Sequence, residues 1–142
     1  ELDLQGERLR MNGRFVSVSD VEREQLDWGE LGWISRPSMT NAQDVTVIEV
    51  SLNAGHGHDF HKHPNQEEVI YVMKGEIEQW LETEKRILKA GDSIFIGDNV
   101  VHASFNTGDE VATLMVVLGP CVGEGGYEVI EVGDQAPWNT FR

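Results

Sequence analysis

Four side chains in this 142-residue sequence have the types and spacing to hold a metal ion: His61, His63, Glu68 and His102. A strand places residues i and i+2 on one face, about 6.6 Å apart, so the imidazoles of His61 and His63 can lean onto one cation. Pro64 favours extended backbone there, because the residue before a proline is pushed out of the helical region. Glu68 would open a returning strand, the β-prone run 68–73. All five histidines fall at 56, 58, 61, 63 and 102, a clustering that scattered surface histidines do not produce. Three neutral imidazoles and a carboxylate suit one divalent transition metal (Fe, Mn, Co, Ni, Cu or Zn) and fit poorly with the all-oxygen shell of calcium. Four protein ligands on an ion that accepts six leave room for water and substrate.

The elements that must position these groups read as short strands. From residue 45 to 52 the chain alternates, so that Ile48, Val50 and Leu52 share one face. A turn at 53–55 leads into the histidines, and Lys74-Gly75 ends the strand that Glu68 begins. Residues 76–81 alternate again with Ile77, Gln79 and Leu81 inward, and strands follow at 86–88, 93–96 and 100–105. The most apolar run, 111–118, is the expected central strand, and 127–132 a last short one. Turn signals about every ten residues predict an all-β sandwich or barrel. Before it, residues 1–36 read as an N-terminal arm packing on the barrel, 37–132, or on a partner subunit. Within that arm, 14–18 alternates like a strand, Ser19 and Glu22 have capping-box spacing, and Trp28, Leu31, Trp33 and Ile34 form an apolar cluster. Residues 133–142 read as a loose tail that Trp138 and Phe141 can dock.

Composition narrows the function. With 25 acidic residues against 11 Lys and Arg, a net charge of −14, the chain lacks the cations that phosphate backbones and anionic membranes require. No apolar run approaches the ~18 residues of a membrane span. The single Cys121 forbids an intrachain disulfide, and the first six residues show no basic or apolar leader, so the expectation is a cytoplasmic protein. Cys121 has no adjacent base, the glycines at 123–126 precede no helix pattern, and Asp109-Glu110 reads as a turn. Thiol, phosphate-loop and paired-carboxylate chemistry therefore lack support.

The stretch from Gly55 to Asn106 resembles the cupin family. Gly55, His61, His63, Glu68 and Gly75 match its first motif; Gly91, His102 and Asn106 match its second, with Gly97 where proline is usual and Asn99 where glycine is usual. Both replacements are turn formers and leave the ligands untouched. The resemblance implies a small single-domain, double-stranded β-helix (jelly-roll) barrel, His61, His63, Glu68 and His102 as ligands, and often a homodimer. Counting back from Gly75 selects Glu68 over Glu67, and strand parity agrees. What it implies for function is metal-dependent chemistry on a small molecule. The first expectation is dioxygenase-like oxidation of an enediol, diol or catechol; a non-redox isomerase or lyase acting on a sugar acid, or a metal-stabilised binding or sensor module, are the alternatives. His58 and Gln79 are the candidate catalytic residues, and with Thr113 and Met115 they are the candidates to line the substrate pocket. His56 is expected in solvent.

Overall fold

A computed structural model describes residues 12–142. Among these residues eleven strands form two antiparallel sheets. They are β1 (Glu22–Leu26), β2 (Gly29–Ser35), β3 (Thr46–Leu52), β4 (Gly57–Lys62), β5 (Glu67–Lys74), β6 (Glu76–Leu81), β7 (Glu84–Lys89), β8 (Ser93–Ile96), β9 (His102–Phe105), β10 (Ala112–Gly119) and β11 (Ile130–Glu131). A one-turn helix, α1 (Pro37–Thr40), links β2 to β3. The six-stranded sheet runs β1-β2-β3-β10-β5-β8 and the five-stranded sheet β11-β4-β9-β6-β7, so the chain crosses between layers as a jelly roll does.

Period-2 sequence makes the core. Ile48 and Val50 of β3 pair with Val116 and Leu114 of β10, and Leu52, Leu118, Ile70 and Val72 complete that side. As the alternation in the sequence predicts, Glu68 is buried and Glu67 exposed. The strand expected to be central, β10, lies inside the six-stranded sheet between β3 and β5.

The five-stranded sheet is covered on both faces. Its outer side holds a second cluster in which Phe60, Trp80 and Phe105 meet Trp138 and Phe141 of the tail. Phe141 stacks on Trp80 at 4.9 Å, and Arg142 reaches the Glu78 carboxylate at 2.7 Å. This double cover is why residues 77–80 of β6 are all buried, where alternation alone predicts every second one.

The segment expected as an arm supplies β1 and β2, which extend the sheet: Leu31 pairs with Val50 and Trp33 with Ile48. Both side chains are buried, while Ile34 is only partly so. The strand expected over 14–18 is absent. Instead the Ser17 backbone N–H donates to Asp20 Oδ2 at 3.0 Å around a 3-10 turn, Val18–Asp20. That local cap takes the place of the one expected at Ser19 and Glu22. Of the two replacements in the second motif, Asn99 takes a left-handed φ of 62°. At Gly57 the need for glycine is steric, since a Cβ would sit 2.3 Å from the Ser104 carbonyl oxygen.

Candidate metal centre

Three strands and one strand end bring the candidate ligands together. His61 lies on β4 directly opposite His102, the first residue of β9. His63 follows just past the end of β4, on the same parity as His61, and Glu68 points inward from β5. The ring nitrogens of His61, His63 and His102 lie within 4.8 Å of one another. Glu68 Oε1 is 2.9 Å from His102 Nε2 and 3.4 Å from His63 Nε2. Ligand bonds of ~2.1 Å place donors about 3–4 Å apart around one ion, so this is the scale of a metal shell.

The hydrogen bonds on the far side of each ring decide what the cluster fits. His61 Nδ1 meets the Asp59 carbonyl at 2.6 Å, His63 Nδ1 the Glu128 carbonyl at 2.8 Å, and His102 Nδ1 the Val100 carbonyl at 2.9 Å. A carbonyl only accepts, so every Nδ1 carries the proton and every neutral ring turns an Nε2 lone pair inward. Glu68 Oε1 and His102 Nε2 are both buried, and apart from each other, at 2.9 Å, neither has a hydrogen-bond partner. Three lone pairs and a carboxylate aimed at one another repel unless a cation stands between them. The residues present therefore fit a divalent metal held by His61, His63, Glu68 and His102.

Without the ion, a proton takes part of that role. Burial works to lower the His102 pKa, but the charge and proximity of Glu68 outweigh it, and the net direction is upward. Burial works to raise the Glu68 pKa, and His102 reverses that, so the carboxyl lies below its usual range. His61 is driven well below the ordinary histidine value by burial and then by its neighbour His58. His63 is lowered mainly by burial. Metal uptake must expel the His102 proton, so affinity is complete above the raised His102 pKa and falls as pH drops through it. The fall should begin above the ordinary histidine value of about 6.5. Calorimetric titrations between pH 5 and 8 check this, and a flat affinity across that range would contradict it.

The cavity at the site measures about 50 Å³, enough to admit water. Trp28, Ile48, Ile70, Ser104, Leu114 and Tyr127 help to line it, with His58 at the histidine side. His58 stacks between Trp28, at 4.8 Å, and His61, at 3.6 Å, and its Nε2 is 3.1 Å from Glu131 Oε2. Burial foremost raises the Tyr127 hydroxyl to about 12, so that phenol keeps its proton at neutral pH.

Three candidates for the pocket are corrected. Thr113 and Met115 are not among the lining residues; β10 turns Leu114 and Val116 inward, one residue out of phase with the expectation. A Thr and a Met do not mark an inner face when the flanking residues are the more apolar set. Gln79 is buried inside the barrel but lines a separate cavity of about 240 Å³ with Leu81, Leu88 and Ile94. Its amide oxygen accepts from Ser104 Oγ at 2.6 Å, and Ser104 is the member of that pair that reaches the metal cavity. Parity could have found Ser104, two residues from His102 on one strand. Trp28 and Tyr127 lie outside the regular strands; the strand expected over 127–132 is confined to Ile130–Glu131.

Fold and site together define a cupin. The cupin-domain family model matches residues 48–118, and the chain belongs to that family. Among curated proteins it is 29% identical to the polyketide synthase CurC of Streptomyces cyaneus, over 78% of this chain and 72% of the relative. It is 35% identical to the pectin degradation protein KdgF of Dickeya dadantii, over 56% of this chain and 73% of that one. The solved structure of KdgF from Halomonas sp. superposes with a TM-score of 0.69 at 18% identity, covering 80% of this chain and 99% of the other.

Proposed function

We propose that this cupin is a metal-dependent enzyme acting on a small molecule that presents adjacent oxygens to the ion, and that the reaction is non-redox. The observation that carries this reading is the set of three inward Nε2 lone pairs with the Glu68 carboxylate, at one end of a mainly apolar cavity. A bound divalent ion would supply Lewis-acid polarisation of a substrate carbonyl or hydroxyl. The protein's own groups supply the rest. Glu131 can accept from His58 Nε2, which leaves Nδ1 of the neutral ring as a base for proton transfer. Tyr127, protonated at its Oη, can donate to a substrate oxygen, and the apolar walls exclude water. The names of the relatives favour enolisable, oxygen-bearing substrates: polyketides for one, and for the other pectin, a polymer of sugar acids.

Dioxygenase-like oxidation of an enediol or catechol is the second reading, favoured by a donor set that also suits Fe(II). One experiment separates the two. Protein loaded anaerobically with Mn(II) or Fe(II) should convert unsaturated uronates or 1,3-dicarbonyl compounds without oxygen. Oxygen uptake with catechols and no anaerobic turnover would favour the second reading.

A second copy of the chain is the expected partner. The outer face of the six-stranded sheet exposes Val69, Tyr71, Met73 and Phe95. Cross-strand pairs Val69–Phe95, Val117–Val69 and Met115–Tyr71 make it one continuous apolar surface. Light scattering should find wild type at twice the 15.9 kDa chain mass, and Phe95→Glu at the chain mass itself. A wild type already at the chain mass would count against this surface.

A further inference from the structure

The loop between β10 and β11 carries two groups that reach the site, and a buried amide holds it. Gln66 is 1% exposed, and its side chain makes three hydrogen bonds to that loop. Nε2 donates to the Pro120 carbonyl at 2.9 Å and to the Gly126 carbonyl at 2.9 Å, while Oε1 accepts from the Glu128 backbone N–H at 3.3 Å. The fully buried Thr46 hydroxyl adds a second donor to the Gly126 carbonyl at 2.9 Å. Between these anchors the loop delivers Tyr127, its ring 5.5 Å from that of His63, and the Glu128 carbonyl that accepts the hydrogen bond from His63 Nδ1–H.

A polar knot this deep is costly unless every member is paired, and an apolar plug would hold the loop without that demand. What the amide does that a plug cannot is hold the backbone N–H of residue 128 while His63 bonds the carbonyl of the same residue. We infer that Gln66 is a positioning residue for the site: it clamps the 120–128 loop so that Glu128 holds His63 in its Nδ1–H tautomer and Tyr127 stands over the cavity. The inference rests on the metal-centre reading for its purpose, but the clamp itself is present without an ion. Partners behind a ligating imidazole typically change metal affinity 10–100-fold when removed.

The test compares Gln66→Leu with Asn106→Leu. Asn106 is a matched control, 2% exposed, with its amide bonded to the Leu52 and Glu110 carbonyls and to the Gly108 N–H. Imidazole 15N shifts of the metal-free protein report the His63 tautomer, and a Zn(II) titration reports affinity. Wild type and Asn106→Leu should show His63 as the single Nδ1–H form. Gln66→Leu should show mixed tautomers, and Zn(II) affinity should fall by about 10–100-fold. Thr46→Val, which removes one donor at near-constant volume, should shift both in the same direction by less; it also serves if Gln66→Leu does not fold. An unchanged His63 signal in a folded Gln66→Leu or, failing that, in Thr46→Val would overturn the inference, as would an equal disturbance in Asn106→Leu. If wild type took up no Zn(II), the metal reading would fail while the tautomer comparison still decided the clamp.

Discussion

Replacing His102 by alanine should lower metal affinity by at least about 100-fold, beyond what loss of a supporting partner costs, while leaving the barrel folded. His102 is 1% exposed and is the nearest imidazole to Glu68 Oε1. Its removal takes away one lone pair and the proton-holding partner of the carboxylate. The Glu68 pKa then rises, because burial is no longer opposed by the adjacent ring. A carboxyl that holds its proton more tightly competes less well for the ion, so two of four donors weaken together. The same loss should appear in stability. Metal at a thousand times its dissociation constant stabilises a native state by about 4 kcal/mol, and the variant should forfeit most of that gain. Thermal unfolding with and without added metal reads it directly. A variant whose midpoint still rises with metal as far as wild type would remove His102 from the ligand set.

Phe60→Ala should have the opposite profile, a large cost in folding with little change in ligation. Phe60 has no exposed surface and packs against Trp80, Phe105 and Phe141 with ring centres 5.4, 5.9 and 6.1 Å away. Truncating a buried phenylalanine costs about 3–5 kcal/mol through lost transfer energy and the cavity left behind. Its neighbour His61 points to the other face of β4, so the metal affinity of the folded fraction should stay within a few-fold of wild type. Chemical denaturation and a metal titration on the same sample measure both. A drop in affinity that tracked the loss of stability would mean that the outer cluster, and not only the inner one, sets the ligand geometry.

The sequence and the structure agree best where one periodicity governs one face. The i, i+2 spacing of His61 and His63 placed two imidazoles together, and the parity of 68, 70 and 72 put Glu68 inward and Glu67 outward. Agreement weakens where a strand is covered twice or not at all. Strand β1, Glu-Arg-Glu-Gln-Leu, is almost wholly exposed, so it carries no apolar alternation to announce it. Strand β6 buries Glu78, because Arg142 of the tail and Lys85 neutralise it, a pairing no local pattern encodes. Thr113 and Met115 are out of phase with the inner face because the apolar periodicity of Leu114, Val116 and Leu118 decides which side of β10 is buried. The cavity walls contributed by Trp28 and Tyr127 come from connections whose course depends on distant anchors such as Gln66.

The most direct test is a Co(II) titration of metal-stripped wild-type protein, read by its visible ligand-field absorption. Saturation at one ion per chain is expected, with net proton release as the His102–Glu68 pair gives up its hydrogen. Uptake without those bands, spread over the 25 Asp and Glu residues with no fixed stoichiometry, would contradict a single centre built from His61, His63, Glu68 and His102.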